Sequence, residues 1–195
     1  MPHSLILSTN NFAEELFNIC NNYIKNCNNM NKIAILYGSS GGNAESVARQ
    51  VLDLFEGAAD LFNVREVTLE EIRDYPYYIV GTSTTGMGDL QDDWEGFLPS
   101  FSNLDLSGKK VAIFALGDSA SYSTSFAESM KVVYDEIADR TTIVGQVPDE
   151  GYTYDDSMAV IDGMFVGLPI DEDNEYDMTE ERLKGWVELL KTEFV

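Results

Sequence analysis

An open parallel sheet with helices packed on both faces, the α/β class, is the fold this sequence predicts, and three observations carry it. Short apolar runs read as strands buried on both sides: KIAILYG at 32–38, YYIVGT at 77–82 and KVAIFAL at 110–116. Amphipathic segments at helical spacing lie between them, the alternation that builds parallel sheets through crossover helices. The runs lead into loops rich in Gly, Ser, Thr and Asp, and in such sheets ligands sit beyond the carboxyl ends of the strands.

Taken in order, the first run ends on Gly38 and passes through a Ser/Gly loop into a helix with apolar positions Val47, Val51, Leu54 and Phe55. Residues 63–69 read as a second strand, 77–82 as a third, 94–101 as a short helix, 110–116 as a fourth strand and 126–137 as the next helix. Residues 141–144 and 164–170 are both strand-like, and the Gly-, Asp- and Tyr-rich stretch between them is read as a long loop interrupting a single fifth strand. Thr179 is placed to cap the last helix. Glu180 and Glu181 then fall in its first turn, where the dipole favours acids, and Leu183, Trp186, Leu189 and Leu190 form its apolar face.

Met30 divides the chain. Before it, in an Asn-rich stretch, Phe12, Leu16, Ile19, Tyr23 and Ile24 recur at helical spacing, with Asn11 and Glu14 resembling an N-cap and its N3 partner. Residues 1–29 are read as an N-terminal extension, either one amphipathic helix or residues contributed by an upstream in-frame start, and 30–195 as one domain.

Composition narrows the function. With 195 residues, 44% hydrophobic and 24% charged, the chain fits a single domain with a real core. Acids outnumber bases 34 to 12, a net charge of -22, so nucleic acid and anionic membranes are repelled and macromolecular partners are expected to be basic. The single histidine, His3, leaves Ser-His-Asp, Cys-His and His-rich zinc chemistry without residues. Cys20 and Cys27 fit neither a redox pair nor a zinc cluster and read as reduced thiols. No apolar run approaches the roughly 20 residues of a membrane span, and residues 4–7 are too short for a signal peptide. A soluble cytoplasmic protein is expected.

Three loops are candidates for the site. Gly38, Ser39, Ser40, Gly41, Gly42, Asn43 and Ala44 lead from strand to helix, so amides and hydroxyls can converge on an anion at the helix N-terminus. The spacing fits neither a Walker loop nor a dinucleotide loop, and no basic residue is present. After the third strand, Ser83, Thr84, Thr85, Gly86, Met87, Gly88 and Asp89 provide a tight turn able to lie against a flat ligand. After the fourth, Leu116, Gly117, Asp118, Ser119, Ala120, Ser121 and Tyr122 place an aromatic beside small and acidic residues. The acids 171, 173, 175 and 177 alternate as in an EF-hand, but Tyr176 and Arg182 stand where that loop needs glycine and glutamate, so a solvated acidic loop is read there.

Four segments, YGSSGGNAESVA, LQDDWEGFLP, FALGDSASY and FVGLPIDEDNEYDMTEERLKGWVELLK, together resemble the long-chain flavodoxins over residues 30–195. The resemblance implies a flavodoxin-like three-layer sandwich, sheet order 2-1-3-4-5, with the fifth strand interrupted by the long-chain insertion. That strand order is the established one for flavodoxins, and it enters through the resemblance rather than through the spacing of these residues. The resemblance also implies non-covalent FMN and single-electron transfer at low potential, often in place of ferredoxin. By the same resemblance the phosphate lies on Ser39, Ser40, Gly41, Gly42, Asn43 and Ala44. The ring lies between Thr84, Thr85, Gly86, Met87 and Gly88 on one side and Leu116, Gly117, Asp118, Tyr122 and Phe126 on the other. The Gly86–Met87 peptide is implied to turn on one-electron reduction so that its carbonyl faces the flavin.

The sequence departs from the family where Gly41 and Ala44 replace the usual hydroxyl residues and Thr85 a frequent tryptophan. Each lost hydrogen bond to a charged group removes about 1.5 to 3 kcal/mol. The STTGMGD turn is more similar to that of the flavodoxin-like domains of diflavin and sulfite reductases, which also bind FMN. Two other functions are compatible with the residues: a regulatory or scaffold module of the same fold with weak or no FMN binding, and an FMN-dependent quinone reductase. For the carrier, the resemblance implies basic redox partners such as ferredoxin-NADP reductase, and a monomer.

Overall fold

Residues 33–195 are described by a computed structural model; the proposed extension at 1–29 and its helix pattern lie outside the described residues. The apolar runs alternate as a doubly covered sheet requires. In β1 (Ile33–Tyr37), Ala34 and Leu36 enter one core while Ile33, Ile35 and Tyr37 enter the other. β3 (Tyr77–Thr85) and β5 (Lys110–Leu116) divide in the same way, with Val80 and Ile113 on one face and Ile79 and Phe114 on the other.

One face is covered by α1 (Asn43–Leu54), through Val47 and Val51, and by the last helix α5 (Thr179–Glu193), through Leu183, Trp186 and Leu190. The opposite face is covered by α3 (Asp92–Ser102), through Trp94, Leu98 and Phe101, and by α4 (Ser129–Ile137), through Met130, Val133 and Ile137. These two layers and the sheet between them make the three-layer sandwich.

With β2 (Ala59–Asn63) at one edge and β10 (Leu168–Ile170) at the other, the parallel sheet runs β10–β5–β3–β1–β2. This is the order 2-1-3-4-5 when its five principal strands are counted along the chain. The fifth strand is split. β6 (Thr142–Val144) pairs with residues 110–112 of β5, and β10 rejoins the same edge at residues 114–116. Between them the chain leaves to form a small antiparallel sheet of β7 (Val147–Pro148), β8 (Val160–Ile161) and β9 (Met164–Phe165). Re-entry needs glycine, because a Cβ on Gly167 would sit 2.1 Å from the carbonyl oxygen of Ile113.

Several boundaries differ from the sequence expectation. The second strand, β2, covers Ala59–Asn63 rather than 63–69. Residues 64–67, inside the expected strand, form a turn in which the amides of Glu66 and Val67 both donate to the Asn63 carbonyl. A one-turn helix α2 (Leu69–Ile72) follows, held by Glu71, whose carboxylate accepts the Thr68 amide at 2.9 Å and its hydroxyl at 2.8 Å. The third strand extends to Thr85, because Thr84 and Thr85 pair antiparallel with β4 (Asp89–Leu90) and turn the expected loop into a hairpin. α4 begins at Ser129 rather than 126, since Ala127 has φ 56° and breaks the helical path. Thr179 is the first residue of α5 and not its cap; its hydroxyl donates to the carboxylate of Glu172.

Candidate functional site

The loops after β1, β3 and β5 meet at the carboxyl end of the sheet and, with the loop after β10, enclose a cleft of about 260 Å³. Its floor and walls come from Ser39, Gly41, Asn43 and Ala44, then Ser83, Thr84 and Gly86, then Leu116, Gly117, Asp118, Tyr122 and Ser125, and finally Glu172 and Asp173. None of these is basic.

The first loop leaves its donors available. Gly38 ends β1 by donating its amide to the Gly81 carbonyl at 3.2 Å. Gly42, at φ 92°, is the N-cap of α1 and has no side chain to cap it. The amides of Asn43, Ala44 and Glu45 lie in the first turn and have no intrahelical acceptor, at the positive end of the helix dipole. Ser39 Oγ accepts the Gly42 amide at 3.0 Å, and Ser40 Oγ accepts the side-chain amide of Gln91 at 3.1 Å. Each serine oxygen is therefore already an acceptor, and its hydroxyl hydrogen remains to be given away. A Cβ added to Gly41 would meet nothing within 4 Å, so the mouth of the loop is open.

The hairpin after β3 forms the second wall. Thr84 Oγ1 accepts the Ser129 amide at 3.2 Å and donates to Ser129 Oγ at 3.0 Å, tying this wall to the start of α4. Thr85 donates to the carbonyl of Leu90 at 3.3 Å. Gly86 (φ 54°) and Gly88 (φ 109°) make the turn, and between them Met87 is 82% exposed. Gly88 abuts Glu128, whose carboxylate accepts the Met158 amide at 2.8 Å.

The third wall is braced from behind and from the side. Asp118 Oδ1 accepts the amides of Ala120 and Ser121 at 3.1 and 2.8 Å and the side-chain amide of Asn174 at 2.9 Å. The hydrogen bonds from Ser121 and Asn174 hold its carboxyl down at about 2. Asp171 is fully buried and accepts the Ser119 hydroxyl at 2.6 Å and amide at 3.0 Å. Burial alone would raise its pKa, but the bonds from Ser119 and Asn174 outweigh that and hold it below the usual carboxylate value. Tyr122 stands 46% exposed at the rim.

Of the residues singled out by sequence, Ser39, Gly41, Asn43, Ala44, Thr84, Gly86, Leu116, Gly117, Asp118 and Tyr122 come together around the cleft. Ser40 and Gly42 complete the first loop between them, and Thr85, Met87 and Gly88 belong to the hairpin without lining the cleft. Phe126 is not at the cleft. It is buried in the core, 5.6 Å from Tyr154 and 6.2 Å from Phe165 between ring centroids, and touches the site only by standing behind Gly117, where a Cβ would lie 2.9 Å from its ring. Ser83, part of the candidate turn, also lines the cleft, whereas sequence reasoning passes over Ser125, Glu172 and Asp173 as site residues. The two acids lie in the DEDN segment read as a solvated loop, whose approach depends on the strand rejoining the sheet at Gly167.

The residues fit a phosphorylated planar ligand. An uncapped helix N-terminus with two hydroxyl donors suits a phosphate, and the space between a glycine turn and a rim tyrosine suits a flat ring. Among the described residues no helix is long and apolar enough to cross a membrane.

Comparison with known proteins agrees with this geometry. The family model described as Flavodoxin matches residues 35–186. The flavodoxin of a Picosynechococcus is 40% identical over 168 residues, covering 85% of this chain and 99% of its own. Flavodoxin 1 of Azotobacter vinelandii is 41% identical over 172 residues, covering 85% and 99%. Among solved structures, a Fusobacterium nucleatum flavodoxin bound to flavin mononucleotide superposes with TM-score 0.81 at 26% identity, covering 85% of this chain and all of that one. Shared sequence over nearly the whole length of such relatives, together with the split fifth strand and the cleft at its end, leaves one conclusion: the chain belongs to the flavodoxin family.

Proposed function

We propose that the protein carries single electrons at low potential on non-covalently bound FMN, serving redox enzymes in place of ferredoxin. The observation that carries this reading is the N-terminus of α1, which has no side-chain cap and presents Asn43 and Ala44 to the cleft. The first-turn amides and the hydroxyls of Ser39 and Ser40 donate to the phosphate, each such bond to a charged group being worth about 1.5 to 3 kcal/mol. Asn43 adds a neutral side-chain donor. These groups replace the hydroxyls that the family usually supplies where Gly41 and Ala44 stand.

Thr84, Gly86, Leu116, Gly117 and Tyr122, which line the cleft, would hold the ring, and Thr85, Met87 and Gly88 would shape the turn beside it. The bound flavin supplies the one-electron chemistry. The chain sets its difficulty: Asp118, Glu172 and Asp173 border the cleft, and a carboxylate about 15 Å away opposes an added negative charge by roughly 1 kcal/mol at an effective dielectric of 20. The net charge of -22 favours encounter with basic redox partners, of which a ferredoxin-NADP reductase is an example. The protein works as a cytoplasmic monomer.

Neither alternative raised by the sequence is favoured. The relatives at about 40% identity are named as flavodoxins, which are electron carriers rather than enzymes. The test is a titration of the purified protein with FMN and with riboflavin, followed by an absorbance spectrum through stepwise reduction. FMN binds at least tenfold more tightly than riboflavin and accepts electrons in two resolved steps. No binding of either, or equal affinity for both, would overturn the phosphate assignment.

A further inference from the structure

Gln91 is a buried residue, 1% exposed, outside the cleft lining and in none of the three loops. It is the N-cap of α3, and its Oε1 accepts the Trp94 amide at 3.2 Å. Its Nε2 donates to Ser40 Oγ and to Asp93 Oδ2, both at 3.1 Å. The orientation of this amide is set by its neighbours. The Trp94 amide only donates, so the oxygen faces the helix and the NH₂ end faces Ser40 and Asp93.

The surroundings hold this group rigidly. Trp94 Nε1 donates to the Gly81 carbonyl at 2.8 Å, and the Gly38 amide donates to the same oxygen at 3.2 Å. The end of β1, the middle of β3 and the start of α3 are thus pinned at one carbonyl. Gly38 carries no Cβ because that atom would lie 2.3 Å from Gln91 Oε1 and 2.6 Å from Trp94 Cδ1. The backbone leaves room for this one side chain, which reaches across the fold to the hydroxyl of Ser40.

We infer that Gln91 is a positioning residue for the anion loop: by donating to Ser40 it fixes the path of residues 39–44 and turns the Ser40 hydroxyl into a donor toward the nucleotide phosphate. This rests on the reading of that loop as the phosphate site. Since Ser40 Oγ receives a hydrogen from Gln91 and Nε2 has no lone pair to offer, the hydroxyl hydrogen must point elsewhere. A carboxylate in place of the amide reverses this polarity. It still accepts from the Trp94 amide, so the cap survives, but it draws the Ser40 hydrogen toward itself and away from the ligand.

The test uses the full chain and two ligands that differ only in the phosphate. In the wild-type protein, FMN binding more tightly than riboflavin establishes the phosphate site independently of Gln91. Gln91→Glu is expected to weaken FMN binding at least tenfold at pH 8 while riboflavin affinity stays within twofold, with the FMN loss shrinking relative to wild type as the pH is lowered and the new carboxyl protonates. In a Ser40→Ala background the same change is expected to have less than a third of its effect, which separates action through Ser40 from simple repulsion of the phosphate. Far-UV circular dichroism and a melting curve verify that each variant is folded. Equal weakening of both ligands, an unchanged ratio, or a full effect without the Ser40 hydroxyl would each overturn the inference; should Gln91→Glu not fold, Gln91→Met and Ser40→Ala, each lacking the bond, must both lower the FMN-to-riboflavin ratio or the inference fails.

Discussion

Asp118 and Asn174 are hydrogen-bonded at 2.9 Å, carboxylate to side-chain amide, and so join the loop after β5 to the loop after β10 across the rim of the cleft. Asn174 also donates to both oxygens of Asp171 at 3.0 Å, which makes it the bridge between two ionised groups. One wall of the cleft is therefore braced by two carboxylates whose charged forms the bonds favour.

Acid should loosen that wall. Asp118 titrates at about 2 in the fold against 3.8 for the ordinary group, so the folded state binds fewer protons than the unfolded chain between those values. The stabilisation is complete above about pH 4 and disappears as the pH falls through about 2; Asp171, also depressed, acts in the same direction. Asp118→Asn should cost about 1 to 2 kcal/mol at pH 7, discounted for partial exposure. Urea unfolding of both proteins from pH 7 to pH 2 measures the gap, which closes at the acid end. A gap independent of pH would show that charge on Asp118 is not what braces the loop.

Two glycines should respond oppositely to the same substitution. At Gly167 the added methyl would meet the Ile113 backbone, which cannot withdraw without opening the β5–β10 pairing, so Gly167→Ala should cost about 3 kcal/mol or more. Gly185 lies exposed inside α5 with nothing within 4 Å of its Cβ position, and Gly185→Ala should add about 0.5 to 1 kcal/mol. Melting temperatures of the pair check both signs. A tolerated Gly167→Ala would contradict the close re-entry of the split strand.

The sequence pattern was most legible where burial on both faces left no choice. The runs at β1, β3 and β5 are continuous in apolar residues because helices cover both sides; of the fifth strand, β10 is buried throughout, whereas β6 buries only Val144, and residues 164–165 of the expected second half pair in the small antiparallel sheet. β2 is misplaced by the sequence reading because it is an edge strand in which only Ala59 is buried, so it carries no continuous apolar run. The capping pair Thr68 and Glu71 was readable and would have placed α2. At the site, the loop donors could be read from composition, but Glu172, Asp173 and Gln91 could not, since their approach is decided by which strands become neighbours. Phe126 is placed at the ring by the resemblance, whereas the turn at Ala127 sends it into the core.

The hairpin turn should control the electron steps. Gly86 has φ 54°, in a region costing other residues roughly 1 to 2 kcal/mol, and a Cβ there would stand 3.0 Å from Asp89 Oδ2. Gly86→Val strains the turn and restricts rotation of the Gly86–Met87 peptide. Spectroelectrochemistry on the FMN-loaded variant should find the two one-electron midpoint potentials closer together than in the wild type. An unchanged separation would remove this peptide from the mechanism.

Salt should slow electron exchange with a basic partner. The cleft is bordered by Asp118, Glu172 and Asp173, the exposed turn at Met87 adjoins Asp89, and the whole chain carries a net charge of -22. Attraction over such a surface acts on the encounter rate and is screened beyond about 10 Å at 0.1 M ionic strength. The second-order rate of reduction by a ferredoxin-NADP reductase should therefore fall roughly tenfold or more between low salt and 0.5 M, as followed by stopped-flow absorbance. Within the fall, Glu172→Gln and Asp173→Asn together should flatten the salt dependence more than neutralising Glu180 and Glu188 on α5, because only the former pair lies at the mouth where the electron leaves. Equal flattening by both pairs would mean that net charge, rather than the placement of carboxylates at the cleft, governs the encounter.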